Sequence, residues 1–312
     1  TRGQEKIDER RKIRQIHFPS DDMPDTSTAF GPDLDPALIR RRAERTAAAY
    51  PSNRFLAEET AQRLFERLDY LRIAPRRLLD VGGGHDLPAL RARYPQAEAI
   101  AVDFAPARLA HLAPPSSWLA RLVRRDPAKT LVADAHALPL ATGSVDFLWS
   151  NLLLHWLSEP LLALKEWQRV LAVGGTVFFS TVGLDTLREL REALGPTAVH
   201  SFLDMHDVGD LLVAAGFSDP VMDMQMLTLR YRDPARLWQD LRASGATNAR
   251  RDRRHTLTGK ERWQRALAAL EARREADGTI PITVELVFGH AWKEAPKTLP
   301  DGRAVIRLHR RP

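Results

Sequence analysis

Short runs rich in Val, Leu, Ile and Phe recur along the chain, each bounded by polar or turn residues. Five of them are Arg77 to Val81, Ala99 to Asp103, Thr130 to Ala133, Val145 to Ser150 and Thr176 to Ser180. They have the length and apolar continuity of strands buried on both faces. Helical spacing alternates with them. Arg40 to Leu71 is helical in pattern, Leu87 to Tyr94 and Pro106 to Leu112 follow the first two strands, and Pro160 to Leu171 precedes the fifth, with Gly174 and Gly175 after it. Val221 to Tyr231 and Ile282 to Trp292 are late strands suited to an antiparallel edge. The pattern predicts an α/β protein with a doubly wound, mainly parallel, seven-stranded sheet.

Two helical pieces interrupt this alternation and read as cap insertions over one core. The first spans about 184–216, with Asp185 and Asp207 as expected helix caps and Gly216 as a stop. The second, about 233–278, is strongly basic. Residues 1–35 read as a flexible arm, 36–295 as one domain and 296–312 as a tail.

Composition narrows the chemistry. The chain has no cysteine, which excludes disulfides, thiolate ligands and a cysteine nucleophile. No apolar run approaches the length of a membrane-spanning helix, and a cytoplasmic monomer is the expectation. The net charge of +6 favours acidic partners without choosing among them. The run NARRDRRH, Asn248 to His255, concentrates four arginines. Stacking aromatics do not interleave it, so no nucleic acid is expected.

The stretch RRLLDVGGGHDLPAL, Arg76 to Leu90, carries the clearest chemical signal. Gly82 and Gly84 follow a strand and precede a helix, where glycine lets a ligand approach the main chain. Asp103 ends the second strand about 20 residues on, where an acid accepts ribose hydroxyls in doubly wound folds. Asp134 and Asn151 follow the third and fourth strands. All would gather outside the carboxyl ends of the strands. The loop departs from the dinucleotide fingerprint, since Leu87 occupies the third glycine position, and it is not a P-loop. A nucleoside with an amino-acid tail, S-adenosylmethionine, suits it better. No convincing metal cluster is present and no metal is expected.

These residues resemble class I S-adenosylmethionine-dependent methyltransferases, whose fold is Rossmann-like. Asp80, Gly82 and Gly84 match the D-x-G-x-G cofactor loop, Asp103 the ribose-binding acid, and Ala133 to Trp156 the adenine side. The resemblance implies that Asp134 sits near the adenine amine and Ala135 beside the ring. Asp86 stands where many relatives have a third glycine. Two readings stay open: its carboxylate opposes the methionine carboxylate, or it points away.

A closer resemblance, over roughly Pro36 to Glu294, is to the malonyl-acyl-carrier-protein O-methyltransferases of biotin synthesis. It rests on RTAAAYPSNRFLAEETAQRLFERLDYLRIAP, SNLLLHW, VGLDTLRELREAL and LRASGATNARR. The stretches DTLRELR, DVGDLLVAAGF and DGTIPITVELVFGHAWK are also similar to a mitochondrial complex I assembly factor of the same fold, linked to arginine hydroxylation. The first resemblance implies methyl transfer to the free carboxylate of a malonyl thioester on an acidic acyl carrier protein, or on coenzyme A. It implies a role for Tyr50, which either closes over the cofactor or touches substrate. His155 either donates a hydrogen bond to the carboxylate or packs locally, and Trp156 reads as pocket wall. A malonyl carboxylate wants a guanidinium, and the candidates are Arg45, Arg242 and Arg250, with Asn248 shaping the pocket. The basic cap would steer the carrier.

Overall fold

Leu78, Leu79, Phe147, Leu148, Trp149, Phe178 and Phe179 are all buried, because helices cover both faces of the strands that carry them. The structure, a computed structural model, describes residues 33–112, 128–256 and 258–295. Most of the expected arm and all but the first residues beyond Trp292 lie outside the described residues. Among the described residues one seven-stranded sheet has the order β3-β2-β1-β4-β5-β7-β6. Its strands are β1 (Arg77–Val81), β2 (Glu98–Asp103), β3 (Lys129–Val132), β4 (Val145–Ser150), β5 (Leu171–Val182), β6 (Ser218–Tyr231) and β7 (Ile280–Trp292). The first five pair in parallel, and β7 runs antiparallel between β5 and β6. The order reverses between β1 and β4, which opens a crevice at their carboxyl ends.

The β6–β7 ribbon outruns β5 on that same side. Val182, the last residue of β5, pairs with Leu286, while Ile280 to Glu285 pair only with β6. This overhang carries the cap. Helices α6 (Arg188–Leu194), α8 (Pro234–Ala243) and α9 (Lys260–Glu271) contribute Leu190, Leu237 and Leu270 to a separate small core with Tyr231, Ile280 and Ile282. The cap therefore stands beside the crevice.

The remaining helices are α1 (Pro36–Thr46), α2 (Phe55–Leu68), α3 (Leu87–Arg93), α4 (Pro106–Leu109), α5 (Pro160–Val170) and α7 (Met205–Ala214). Several expectations are corrected. The helical pattern from Arg40 to Leu71 is two helices, broken at a single turn over Tyr50–Ser52. Pro51 lacks an N–H and disfavours helical angles at Tyr50. Strand β5 starts at Leu171 rather than Thr176, since Gly174 and Gly175 bond Lys293 across to β7. Asp185 does not cap α6. Leu187 precedes that helix in the left-handed region, φ 56°, and Asp185 instead lies 3.6 Å from Arg188. Asp204, not Asp207, caps α7 by accepting from the His206 N–H at 2.8 Å.

Helix α1 is strapped to the cap. Asp35 N–H bonds the Ala249 carbonyl at 2.9 Å, and Arg42 Nη1 donates to the carbonyls of Thr247 and Asn248 at 2.7 and 2.8 Å. This closes the far side of the crevice with residues from the start of the described chain and from the cap.

Candidate active site

Three consecutive glycines, Gly82, Gly83 and Gly84, all have positive φ, at 127°, 95° and 69°. Gly84 is held to glycine twice over, because a Cβ there would lie 2.5 Å from Ala101 Cβ and 2.6 Å from Leu112 Cδ1. Its job is close packing of loop against strand. Gly84→Ala is expected to cost about 2–4 kcal/mol from strain and overpacking. A urea melt checks this, with Gly259→Ala as a control, since nothing lies within 4 Å of a Cβ there. Gly82 instead lines both cavities of the crevice, and a Cβ there would meet Leu153 and Asn151 no closer than 3.5 Å.

The smaller cavity, about 280 Å³, is lined by Gly82, Asp103, Phe104, Asp134, Ala135 and Leu157, among others. Asp103 Oδ1 accepts the Ala105 N–H at 2.7 Å, which fixes the carboxyl. Its Oδ2 makes no hydrogen bond among the described residues and would lie 3.5 Å from a Cβ on Gly83. Burial pushes the Asp103 carboxyl up to about 6. Ala135 is buried and its carbonyl accepts from Trp167 Nε1 at 3.2 Å. Asp134 is exposed, and one oxygen holds both the His136 N–H and Nδ1, at 2.9 and 2.6 Å. It thus secures its own turn, while its other oxygen makes no hydrogen bond among the described residues.

Other expected cofactor residues lie behind the loop. Asp80 and Gly84 line neither cavity. Burial, with Asp86 and Asp103 nearby, raises the Asp80 carboxyl well above the carboxylate range, and its Oδ2 has no partner. Asn151 reaches the larger cavity, but its side chain is engaged. It donates to Ala57 O and to Asp86 Oδ2 at 2.9 Å each and accepts from Ser180 Oγ at 2.7 Å. Asp86 takes the second of its two open readings. It points inward, accepting from Trp149 Nε1 at 3.1 Å with Arg54 Nη1 at 3.7 Å, and lines neither cavity.

The larger cavity, about 440 Å³, runs from Gly82 and Asp103 into the cap. Tyr50, His155 and Arg242 all line it, as do Trp156 and Asn248. Arg108 lies over the Tyr50 ring at 3.9 Å, and burial raises the Tyr50 phenol, so it keeps its proton. His155 is half-buried. Burial lowers it well below the usual imidazole range, and its Nδ1 meets Thr181 Oγ1 at 3.3 Å. It is neutral at pH 7. Arg242 is exposed and its side chain forms no hydrogen bond or ion pair among the described residues.

Arg45 and Arg250 do not line the cavity. Arg250 is spent on Asp252 and Ser201. Its neighbours are occupied as well: Arg251 pairs with Asp33 at 3.1 Å and Arg253 with Asp35 at 3.6 Å. The basic run of the cap is largely neutralised by local aspartates. Sequence reasoning missed Arg54, Arg108 and His200, which all line the cavity. Arg54 Nη1 and Arg108 Nε are buried without hydrogen-bond partners among the described residues. No motif marks them, since arginine is common throughout this chain.

Residues 79–179, from β1 through most of β5, match the family model described as a methyltransferase domain. The malonyl-[acyl-carrier protein] O-methyltransferase of Laribacter hongkongensis is 44% identical over 287 residues, covering 88% of this chain and 96% of that protein. The enzyme of the same name from Gallionella capsiferriformans is 42% identical over 280 residues, with the same coverages of 88% and 96%. The chain belongs to the malonyl-[acyl-carrier protein] O-methyltransferase family. Solved structures agree in fold. A putative methyltransferase from Bacillus halodurans superposes with a TM-score of 0.52 at 15% identity, covering 74% of this chain and 99% of that one. A Haemonchus contortus phosphoethanolamine N-methyltransferase bound to S-adenosylhomocysteine gives 0.50 at 15% identity, covering 82% and 61%.

As a member of this family the protein is a methyltransferase that uses S-adenosylmethionine. The residues present fit that cofactor. The smaller cavity offers an acceptor at Asp103 Oδ2 and an apolar wall from Phe104, Ala135 and Leu157. Gly82 joins it to the larger cavity, which cap residues such as Leu190, Leu237 and Arg242 wall on one side and Tyr50, Arg108 and His155 on the other.

Proposed function

We propose that the protein methylates the free carboxylate of a malonyl thioester borne by an acyl carrier protein. The observation that carries this reading is Arg242. Four arginines line the larger cavity, and Arg42, Arg54 and Arg108 are each engaged with neighbouring groups. Arg242 alone among them has no partner among the described residues, and a guanidinium binds a carboxylate bidentately. It shares its cavity with Gly82 and Asp103, so a carboxylate held there faces the cofactor end.

When bound, S-adenosylmethionine supplies a sulfonium methyl that the carboxylate accepts, leaving S-adenosylhomocysteine and a methyl ester. The carboxylate is already ionised at pH 7, so no general base is needed. Orientation is then the main task of the protein. Asp103 would hold the ribose hydroxyls, Ala135 would lie against the adenine, and the second oxygen of Asp134 would accept from the adenine amine. Asp80, Gly84 and Asn151 act one layer back, holding the loop and β4 in place. Tyr50, kept as a phenol beneath Arg108, and neutral His155 wall the space where methyl and carboxylate meet, excluding water. Arg45, outside the cavity on α1, contributes to the field met by an acidic carrier.

The reading is tested with labelled S-adenosylmethionine and two carriers, malonyl and acetyl. Label on the malonyl carrier alone is expected. Equal labelling of both would remove the carboxylate from the reaction.

A pH dependence follows from Asp103. Its carboxyl, raised to about 6 by burial, is protonated below that pH and then loses an acceptor for the ribose. Ligand that binds only the ionised form weakens as pH falls through 6. The Kd for S-adenosylmethionine is expected to rise about tenfold between pH 7 and pH 5. Calorimetry across this range checks it, and a flat profile would contradict the assignment of Asp103.

A further inference from the structure

Besides the cationic Arg54 Nη1 and Arg108 Nε, two uncharged polar atoms in the wall of the larger cavity have no hydrogen-bond partner among the described residues. Trp238 Nε1 and His200 Nδ1 are buried and unbonded, and both side chains line the cavity. They differ in kind. An indole N–H can only donate. His200 Nε2 lies 2.6 Å from the His155 carbonyl oxygen, which can only accept. Nε2 therefore carries the ring proton, and Nδ1 presents a bare lone pair. Burial lowers His200 to about 4, so the ring is neutral at pH 7.

The two atoms lie along a path. His200 packs on His155 and Trp156 beside β4, with ring centroids 6.3 and 5.0 Å away. Trp238 stands in the cap on α8, against Trp263 at 5.2 Å. Between the cofactor end and the cap, Leu187, Leu190, Val199, Phe202 and Leu237 make the wall apolar. The acid there, Asp240, is paired with Arg236 at 3.0 Å. A buried donor or acceptor left unmet carries a desolvation cost that a matching ligand group removes. An uncharged chain bearing amides meets both atoms without bringing charge into apolar surroundings.

We propose that this apolar extension takes the pantetheine arm of the carrier substrate, His200 Nδ1 accepting an amide N–H and Trp238 Nε1 donating to an amide carbonyl. The inference rests on the malonyl-carrier reading above and adds the route by which the thioester enters. It assigns arm recognition to Trp238 and His200, and carboxylate recognition to Arg242.

The test compares malonyl-carrier protein with malonyl S-ethyl thioester, which carries the same acyl group and no amide. Trp238→Phe keeps the ring and deletes the donor. It is expected to lower the preference for the carrier substrate over the short thioester about fivefold to tenfold, chiefly through KM. His200→Phe should lower it similarly, and an unchanged Kd for S-adenosylmethionine confirms that each variant is folded. An unchanged preference in both variants overturns the proposal, as expected if solvent alone meets these atoms. Equal loss on both substrates also overturns it, pointing to a structural role. Wild-type protein that binds S-adenosylmethionine but methylates neither malonyl substrate removes the functional reading itself, and this inference with it.

Discussion

Asp103→Asn is expected to weaken S-adenosylmethionine at least about hundredfold. The substitution is nearly isosteric and keeps an oxygen for the Ala105 N–H, the contact now made at 2.7 Å. What changes is the atom facing the cavity. Asp103 Oδ2 is an unbonded acceptor, and asparagine places an NH₂ there, donor against the hydroxyl donors of a ribose. A hydrogen bond to a charged group contributes about 1.5–3 kcal/mol, and a mismatched donor adds a desolvation cost. Together they reach about 3 kcal/mol, or roughly two decades in Kd. Titration calorimetry reads this directly. A Kd within about fivefold of wild type would move the ribose away from Asp103. Thermal stability should hold or rise, because a neutral side chain replaces a carboxylate whose charged form burial disfavours.

Arg242→Met is expected to lower kcat/KM for the malonyl carrier by about a hundredfold to a thousandfold, with S-adenosylmethionine affinity unchanged. Methionine preserves much of the stem and removes the fork that grips a carboxylate. Losing one partner of a close charge pair costs about 2–5 kcal/mol. Because the side chain is exposed and unpaired among the described residues, its removal leaves no stranded partner and the fold should be untouched. Arg242→Lys should recover part of the loss, since it keeps the charge without the bidentate geometry. Steady-state kinetics at saturating cofactor separate these effects. Turnover within about threefold of wild type in the methionine variant would exclude Arg242 as the carboxylate's partner.

Much of the framework is legible in the residue pattern. Strands β1 and β4 have the bounds that their apolar runs predict, Arg77–Val81 and Val145–Ser150. A strand buried on both faces declares itself by continuous apolar character, and its carboxyl end is where the chain turns polar. That is why Asp103, Asp134 and Asn151 could be aligned with strand ends before any fold was known. Conformation at single residues is less legible. Pro51 divides one helical pattern into α1 and α2, and that break is what brings Tyr50 to the cavity. Asp204 and Asp207 have equal capping chemistry, and the choice between them follows from how α7 packs.

Partners distant in sequence are not legible at all. Asp86 turns toward Trp149 and Asn151, some 60 residues away, so the extra carboxyl in the glycine loop is absorbed by β4 rather than aimed at the cofactor. Arg250 and Arg242 look equivalent in LRASGATNARR. Only the fold separates them, because Arg250 meets Asp252 and Ser201 while Arg242 is left with the cavity. The cap's charge run is similarly spent on Asp33 and Asp35 from the opposite end of the chain.

The central claim is that a methyl ester forms on the malonyl carboxylate. The most direct measurement follows malonyl-carrier protein by intact mass after incubation with S-adenosylmethionine carrying a labelled methyl, then treats the product with mild base. A gain of one methyl that leaves as labelled methanol is the predicted result. A methyl that stays attached through base treatment, or that appears on the carrier without its malonyl group, would contradict it.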